Sequence, residues 1–305
     1  MKLYAPKYYS DFACIKGACR HSCCRGWEID IDPRTREKYS HLSHSYREKI
    51  EESIMCENDG TAHFRLLENE NCPHLDECGL CKIITEVGED YLCDICREHP
   101  RFYNLTKRGK EVGLGMACEE ACKIILSSDA FGEFVEIGET CEDCEAQKFD
   151  TAPYIEKIYS LLSDTALPYP EVLMHIYADF GVNPASISDD GAREMLSSLE
   201  YLDGESERRF FAYSSEVAQE SYLDLYLRRA LAYFVFRHVS PAEDECDLRA
   251  SLALALFLER LLFSVAIAEG LRDTDSLVLL ARKISEEIEY SEDNCDLIKA
   301  EFIFA

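Results

Sequence analysis

Residues 14–24 read CIKGACRHSCC, placing Cys14, Cys19, Cys23 and Cys24 in one short loop, with Gly26, Trp27 and the alternating EIDID directly behind. Further on, NCPHLDECGLCKI carries Cys72, Cys78 and Cys81, YLCDICREHPR carries Cys93 and Cys96, and GMACEEACKIIL carries Cys118 and Cys122. A hydrophobic core does not call for thiols in such pairs. Thiols two to four residues apart at a turn or helix start point at one centre, which is how soft metals are held. Sixteen cysteines also suit a disulfide framework. The N-terminal MKLYAPKYYSDF has no apolar export core, so the expectation is a cytoplasmic protein with reduced thiols acting as metal ligands.

Zinc and iron–sulfur clusters both accept four thiolates. Cys78–Cys81 and Cys93–Cys96 form two C-x2-C pairs of the zinc-ribbon kind, and Cys118–Cys122 with Cys141–Cys144 form a looser version. Zinc does not account for the adjacent Cys23 and Cys24, nor for ligands spread over so long a segment. That spread suits a cluster enclosed by the fold.

The run FACIKGACRHSCCRGWEIDIDPRTREKY, followed by NCPHL, GLCKI, CREHPR and ACEEACKIIL, resembles the flagellin lysine-N-methylase family. Later stretches, LDLYLRRALAYFVFRHV and SLVLLARKISEEIEYSEDN, extend the resemblance to most of the chain. The resemblance implies a 4Fe-4S protein that transfers methyl groups from S-adenosylmethionine to lysine side chains of flagellin or a related surface protein. It assigns Cys14, Cys19, Cys23, Cys24, Cys72, Cys81, Cys96 and Cys118 to the metal pattern. Cys56, Cys78, Cys93, Cys122, Cys141, Cys144, Cys246 and Cys295 fall outside it. Two other classes are served by the same cysteines: an iron–sulfur redox or electron-transfer protein, and a zinc-stabilised binding module without catalysis.

A hydrophobic fraction of 47% is enough for an ordinary core. Fourteen of the sixteen cysteines precede residue 150, which predicts a cysteine-rich cluster domain over residues 1–150 and a helical bundle over 151–305. The expected fold is mainly α, with the metal-cluster region packed on the C-terminal bundle. A net charge of −27 repels phosphate backbones, which argues against nucleic acid, and it attracts a lysine-bearing substrate.

Asp32 as a cap and Pro33 at the first helical position predict a mostly helical segment from Asp32 to Glu68, with Tyr39, Leu42, Tyr46 and Ile50 on one face. His41, His44 and His63 read as surface or packing residues, since no metal-type pairing accompanies them. Arg101 after Pro100 is a candidate for a carboxylate or a structural ion pair. Beyond residue 150, helices are expected from Pro153, with Ile155, Ile158, Tyr159 and Leu162 inward. Another is expected from Pro170, with Leu173, Ile176 and Phe180 inward and Gly181 as its stop. More follow at 192–202, 216–238, 247–269 and 275–289. Arg249, Glu259 and Arg260 interrupt the apolar run LRASLALALFLERLLFSVAIAEG, leaving it short of the roughly 18 uncharged residues a membrane span needs. It reads as the central helix of a bundle.

No glycine-rich dinucleotide loop, P-loop, G-x-S-x-G or H-E-x-x-H occurs, and neither does the C-x3-C-x2-C of radical S-adenosylmethionine enzymes. A polar methyl transfer needs the lysine amine neutral, and its unperturbed pKa is ~10.4, so the site must desolvate it or supply a base. Asp30, Asp32, Tyr39 and Tyr103 are the candidate bases.

Overall fold

A computed structural model describes residues 1–140, 147–183, 186–216 and 220–304. Cys141 and Cys144 lie outside the described residues, as does part of the helix expected over 216–238. The chain is mainly α-helical and parts into two compact units, one of Met1–Phe12 with Arg101–Ala305 and one of Ala13–Pro100.

Strands β1 (Lys2–Pro6), β2 (Ile54–Cys56), β3 (Ala62–Phe64), β4 (Arg101–Thr106), β5 (Gly109–Leu114) and β6 (Phe134–Glu139) form two sheets. In the larger unit the order is β4-β5-β1-β6, with β1 parallel to β5 and antiparallel to β6. This sheet corrects the expected boundary near residue 150. Pairing ties residues 2–6 to 109–114 and 134–139, and Leu114 and Met116 share one buried core with the later helices. Residues 101–140 and 147–150 therefore belong with the bundle.

The bundle follows its sequence pattern closely. Ala152–Ser163 buries Ile155, Ile158, Tyr159 and Leu162, and Tyr169–Phe180 buries Leu173, Ile176 and Phe180 before stopping at Gly181, whose φ of 64° is left-handed. Asp189–Ser197 is shorter than expected, and Gly204–Phe210 and Glu292–Phe304 were not foreseen. Glu245–Ala268 starts at Asp244, whose carboxylate accepts from the N–H groups of Cys246 and Asp247. This helix is long and apolar enough to cross a membrane by length and composition, yet it is buried within the bundle. Asp224–Phe234, Thr274–Ile284 and Glu292–Phe304 pack around it. Two helices run on into single π turns at Val235–Val239 and Ser285–Glu289.

In the smaller unit the expected Asp32–Glu68 helix is two helices and a hairpin. Pro33–Ser40 buries Tyr39, Arg47–Ser53 buries Ile50, and the segment between them buries Leu42 and Tyr46, after which β2 and β3 pair antiparallel across a turn at Asn58–Gly60. Lys82–Val87 and Asp94–Glu98 complete the unit.

Candidate metal centre

No disulfide joins any two described cysteines. In the smaller unit Cys24, Cys72, Cys81, Cys93 and Cys96 gather in one hydrophobic core with Ile29, Tyr39, Phe64 and Ile83. Four chain segments deliver them. The Cys72 N–H donates to the Cys24 carbonyl at 2.8 Å, with Arg25 bridged to Asn71 beside it. Cys81 precedes the helix Lys82–Val87, and its bridge to Leu75 closes the loop in which Asp76 accepts from the N–H groups of Cys78 and Leu80. Cys93 immediately precedes Asp94–Glu98, and Cys96 lies one turn further on. Gly17 lets the first cysteine loop lie on the second: a Cβ there would stand 2.4 Å from the Cys78 carbonyl oxygen.

Asp32 sets the spacing of two helices at once. Its Oδ1 accepts from the Thr35 N–H and its Oδ2 from the Asp94 N–H, each at 2.9 Å, so one carboxylate caps Pro33–Ser40 and anchors the start of the helix carrying Cys96. Tyr39 completes the wall, its hydroxyl donating to the Tyr91 carbonyl at 2.7 Å and standing 3.5 Å from the Cys93 Sγ.

The thiols sense one another. A hydrogen bond from Cys23 brings Cys24 down to about 7, while burial pushes Cys72 up to about 12, with Cys24, Cys81 and Cys93 adding to the rise. Burial also raises Cys81. Cys93 and Cys96 share a hydrogen bond that lowers Cys93 and raises Cys96, the pattern of two thiols holding one proton between them. Tyr39 is raised, first by burial and then by Cys93.

Of the eight cysteines the family pattern selects, the structure thus brings together Cys24, Cys72, Cys81 and Cys96, and it adds Cys93. The family pattern selects the second cysteine of each C-x2-C pair and not Cys93, although the Cys93–Cys96 spacing itself points to it. Cys23 bonds to Cys24 from an exposed position. Cys14 accepts from the Lys16 N–H and Cys19 donates to the His21 carbonyl, both on the preceding loop. Cys118 belongs to the larger unit, at the start of Glu119–Ser127. Cys122 is buried there, its thiol donating to the Val278 carbonyl. Cys78 and Cys246 are exposed, Cys295 is buried, and Cys56 accepts from Arg36.

The donor set of five thiols without a carboxylate suits a soft metal or an iron–sulfur cluster. As the side chains stand, no group of three or more His, Cys, Asp or Glu among the described residues is placed to hold a metal ion. The fit is therefore one of donor type and convergence.

The other sequence candidates have different employment. His41 and His44 bond to nearby backbone, and His63 stands 3.9 Å from Glu57. Asp32 and Tyr39 are committed to the contacts above, whereas Asp30 and Tyr103 are exposed. Arg101 donates to the Tyr9 hydroxyl at 2.8 Å and lies over the rings of Tyr9 and Phe12.

A separate polar knot in the larger unit joins the two π turns. The wholly buried Glu289 side chain accepts from Tyr233 and pairs with His238 at 2.7 Å and Arg237 at 3.4 Å, while Arg237 is sandwiched between the rings of Phe102 and Tyr290. Burial raises the carboxyl of Glu289, but His238 and Arg237 outweigh it and hold the group low.

No protein-family profile and no solved structure matches the chain. It is similar to two curated proteins named lysine-N-methylase, from Salmonella choleraesuis strain SC-B67 and Salmonella typhimurium strain LT2. Each is 29% identical over 166 residues, covering 52% of this chain and 39% of the relative. It is also 29% identical over 127 residues to the flagellar biosynthetic protein FliU of Salmonella muenchen, covering 40% of this chain and 75% of that one. The matched region thus spans about two fifths of the length of the lysine-N-methylases. At this modest identity, the resemblance to the flagellin lysine-N-methylase family seen in the cysteine motifs is carried by named relatives as well.

Proposed function

We propose that the protein is a lysine N-methyltransferase acting on flagellin or a similar surface protein, with S-adenosylmethionine as donor and a 4Fe-4S cluster held by thiols of the smaller unit. The observation that carries this is the convergence of Cys24, Cys72, Cys81, Cys93 and Cys96 from four segments onto one core, in a chain whose relatives are named for lysine methylation. Four of these five would ligate the cluster; when bound it supplies Lewis-acid or one-electron chemistry. The protein's part is to hold the thiols in place through Asp32 and Tyr39. It must also receive a lysine as the neutral amine, and the exposed carboxylate of Asp30, set between the core residues Ile29 and Ile31, is the proposed acceptor. The overall acidity of the chain attracts a lysine-bearing partner.

The test is anaerobic purification followed by iron and sulfide analysis, and incubation with labelled S-adenosylmethionine and flagellin. Iron with equal sulfide, and label on lysine that disappears in Cys72→Ala and Cys96→Ala, is the expected result. Zinc alone would replace this reading by a zinc-stabilised binding module. Iron and sulfide with no donor binding would replace it by a redox protein.

A further inference from the structure

A cleft of about 340 Å³ opens in the smaller unit, with Tyr46, Ser53 and His74 among its lining residues. Ser53 donates to the Ile50 carbonyl, so the His74 Nε2–H donates to Ser53 at 3.0 Å and its Nδ1 accepts from the Tyr46 hydroxyl at 3.0 Å. That polar floor is satisfied and fixed. The walls carry the open valences. Lys49, Arg65 and Lys82 line the cleft, and among the described residues none of the three has an ion-pair partner. This is notable in a chain with 59 acidic against 32 basic side chains. Glu52 is the one acid in the lining, and Leu66, Leu67 and Pro73 supply apolar surface, with Leu67 half exposed.

Three cations, one carboxylate and an apolar wall are complementary to the amino-acid end of a small zwitterion with an apolar side chain. We infer that the cleft binds such an end, its carboxylate against Lys49, Arg65 and Lys82 and its ammonium against Glu52. The cleft adjoins the thiol core through the chain itself, since Pro73 follows Cys72 and Lys82 follows Cys81. The inference deepens the proposed function and rests on it for the ligand's identity, the methionine end of S-adenosylmethionine.

The experiment is calorimetry on the full-length, anaerobically prepared chain with S-adenosylhomocysteine, methionine and adenosine as probes. Lys49→Gln, Arg65→Gln and Lys82→Gln are made singly and together. Each removes one charge-assisted contact, so the expected loss of S-adenosylhomocysteine affinity is roughly tenfold per charge, growing as salt is lowered. Glu52→Gln weakens both amino-acid probes, and adenosine is insensitive to all four changes. Unchanged S-adenosylhomocysteine affinity in a folded triple variant overturns the cleft, and the methylation reading survives if flagellin is still labelled. Absence of binding by either amino-acid probe to the unaltered protein also overturns it. Charge-dependent methionine binding without any labelling of flagellin leaves the cleft standing and overturns the methylation reading. Circular dichroism on each variant guards against misfolding, and the single changes serve if the triple does not fold.

Discussion

Glu259 sits in the middle of the central helix with no exposed surface, and neither of its carboxylate oxygens has a well-formed hydrogen bond. The buried hydroxyls of Tyr169 and Tyr213 have no well-formed hydrogen bond either. Tyr169 and Tyr177 face the carboxyl from the helix Tyr169–Phe180, Tyr213 faces it from the chain after Gly204–Phe210, and Arg260 is the nearby cation on its own helix. Burial raises the carboxyl from 4.5 to about 7, with Arg260 and Tyr169 opposing. The sign follows from proton linkage. Below the unfolded value both folded and unfolded forms hold the proton, and the group costs nothing. As pH rises through the interval, the unfolded chain releases its proton first, so stability falls until the folded carboxyl has also ionised. The interval corresponds to about 3 kcal/mol lost between about pH 4.5 and pH 7. Glu259→Gln keeps the shape and cannot ionise. It should match the wild type near pH 4 and exceed it by about 3 kcal/mol at pH 8, or roughly 6–12 °C in Tm for a unit of this size. Comparing the two proteins by far-ultraviolet circular dichroism at each pH cancels every other titration. Parallel stability curves across the interval would refute the reasoning, since they would mean the carboxyl is hydrated or already ionised.

Removing the carboxylate of Glu289 with Glu289→Ala strands Arg237 and His238, and should cost roughly 3–5 kcal/mol in thermal or denaturant melts; a loss below about 1 kcal/mol would show that the cations reach solvent. Asp32→Ala uncaps Pro33–Ser40 and releases Asp94 together, so its cost should exceed the roughly 1 kcal/mol of a single cap, and hydrogen exchange should quicken at both Thr35 and Asp94. Leu256→Asp puts an unpaired charge at a position with 0% exposure, at a cost of several kcal/mol, and an unaltered melting profile would mean that the helix is not central.

Helical periodicity made the bundle legible, because each helix buries a stripe whose spacing is local. Ile155, Ile158, Tyr159 and Leu162 need no knowledge of distant residues to be placed on one face. The sheet was not legible in the same way. Its β1–β5 pairing joins Leu3 to Lys110 across more than a hundred residues, and no local pattern announces a partner so remote. The hairpin β2–β3 has a local signal, the Asn58-Asp59-Gly60 turn, but the helical face from Tyr39 to Ile50 continues in pattern up to it and masks the change of structure. The π turns were invisible because each adds one residue to a pattern that otherwise continues. Their i to i+5 bonds, Ser240 N–H to the Val235 carbonyl and Tyr290 N–H to the Ser285 carbonyl, arise where the buried Glu289 knot is assembled from both helices. At the thiol core, motif order located Cys24, Cys72, Cys81 and Cys96. It does not separate them from Cys14, Cys19, Cys23 and Cys118, which carry the same motif but lie outside the cluster once the chain folds.

The smaller unit has little to stand on apart from that core. Its α-helices span only 8, 7, 6 and 5 residues, each below the length at which a helix holds itself in water, and its apolar core includes the thiols of Cys72 and Cys93. A cluster bonded to several of its segments would cross-link what short helices cannot, so on the proposed function the metal centre is also the keystone of residues 13–100. Stripping iron with a chelator under anaerobic conditions should therefore abolish hydrogen-exchange protection over 13–100. Protection in Glu245–Ala268 and the helices around it should remain. Equal protection in the smaller unit before and after iron removal would show that its core is self-sufficient and that the thiols fold without the metal, which would leave their convergence unexplained by a structural demand.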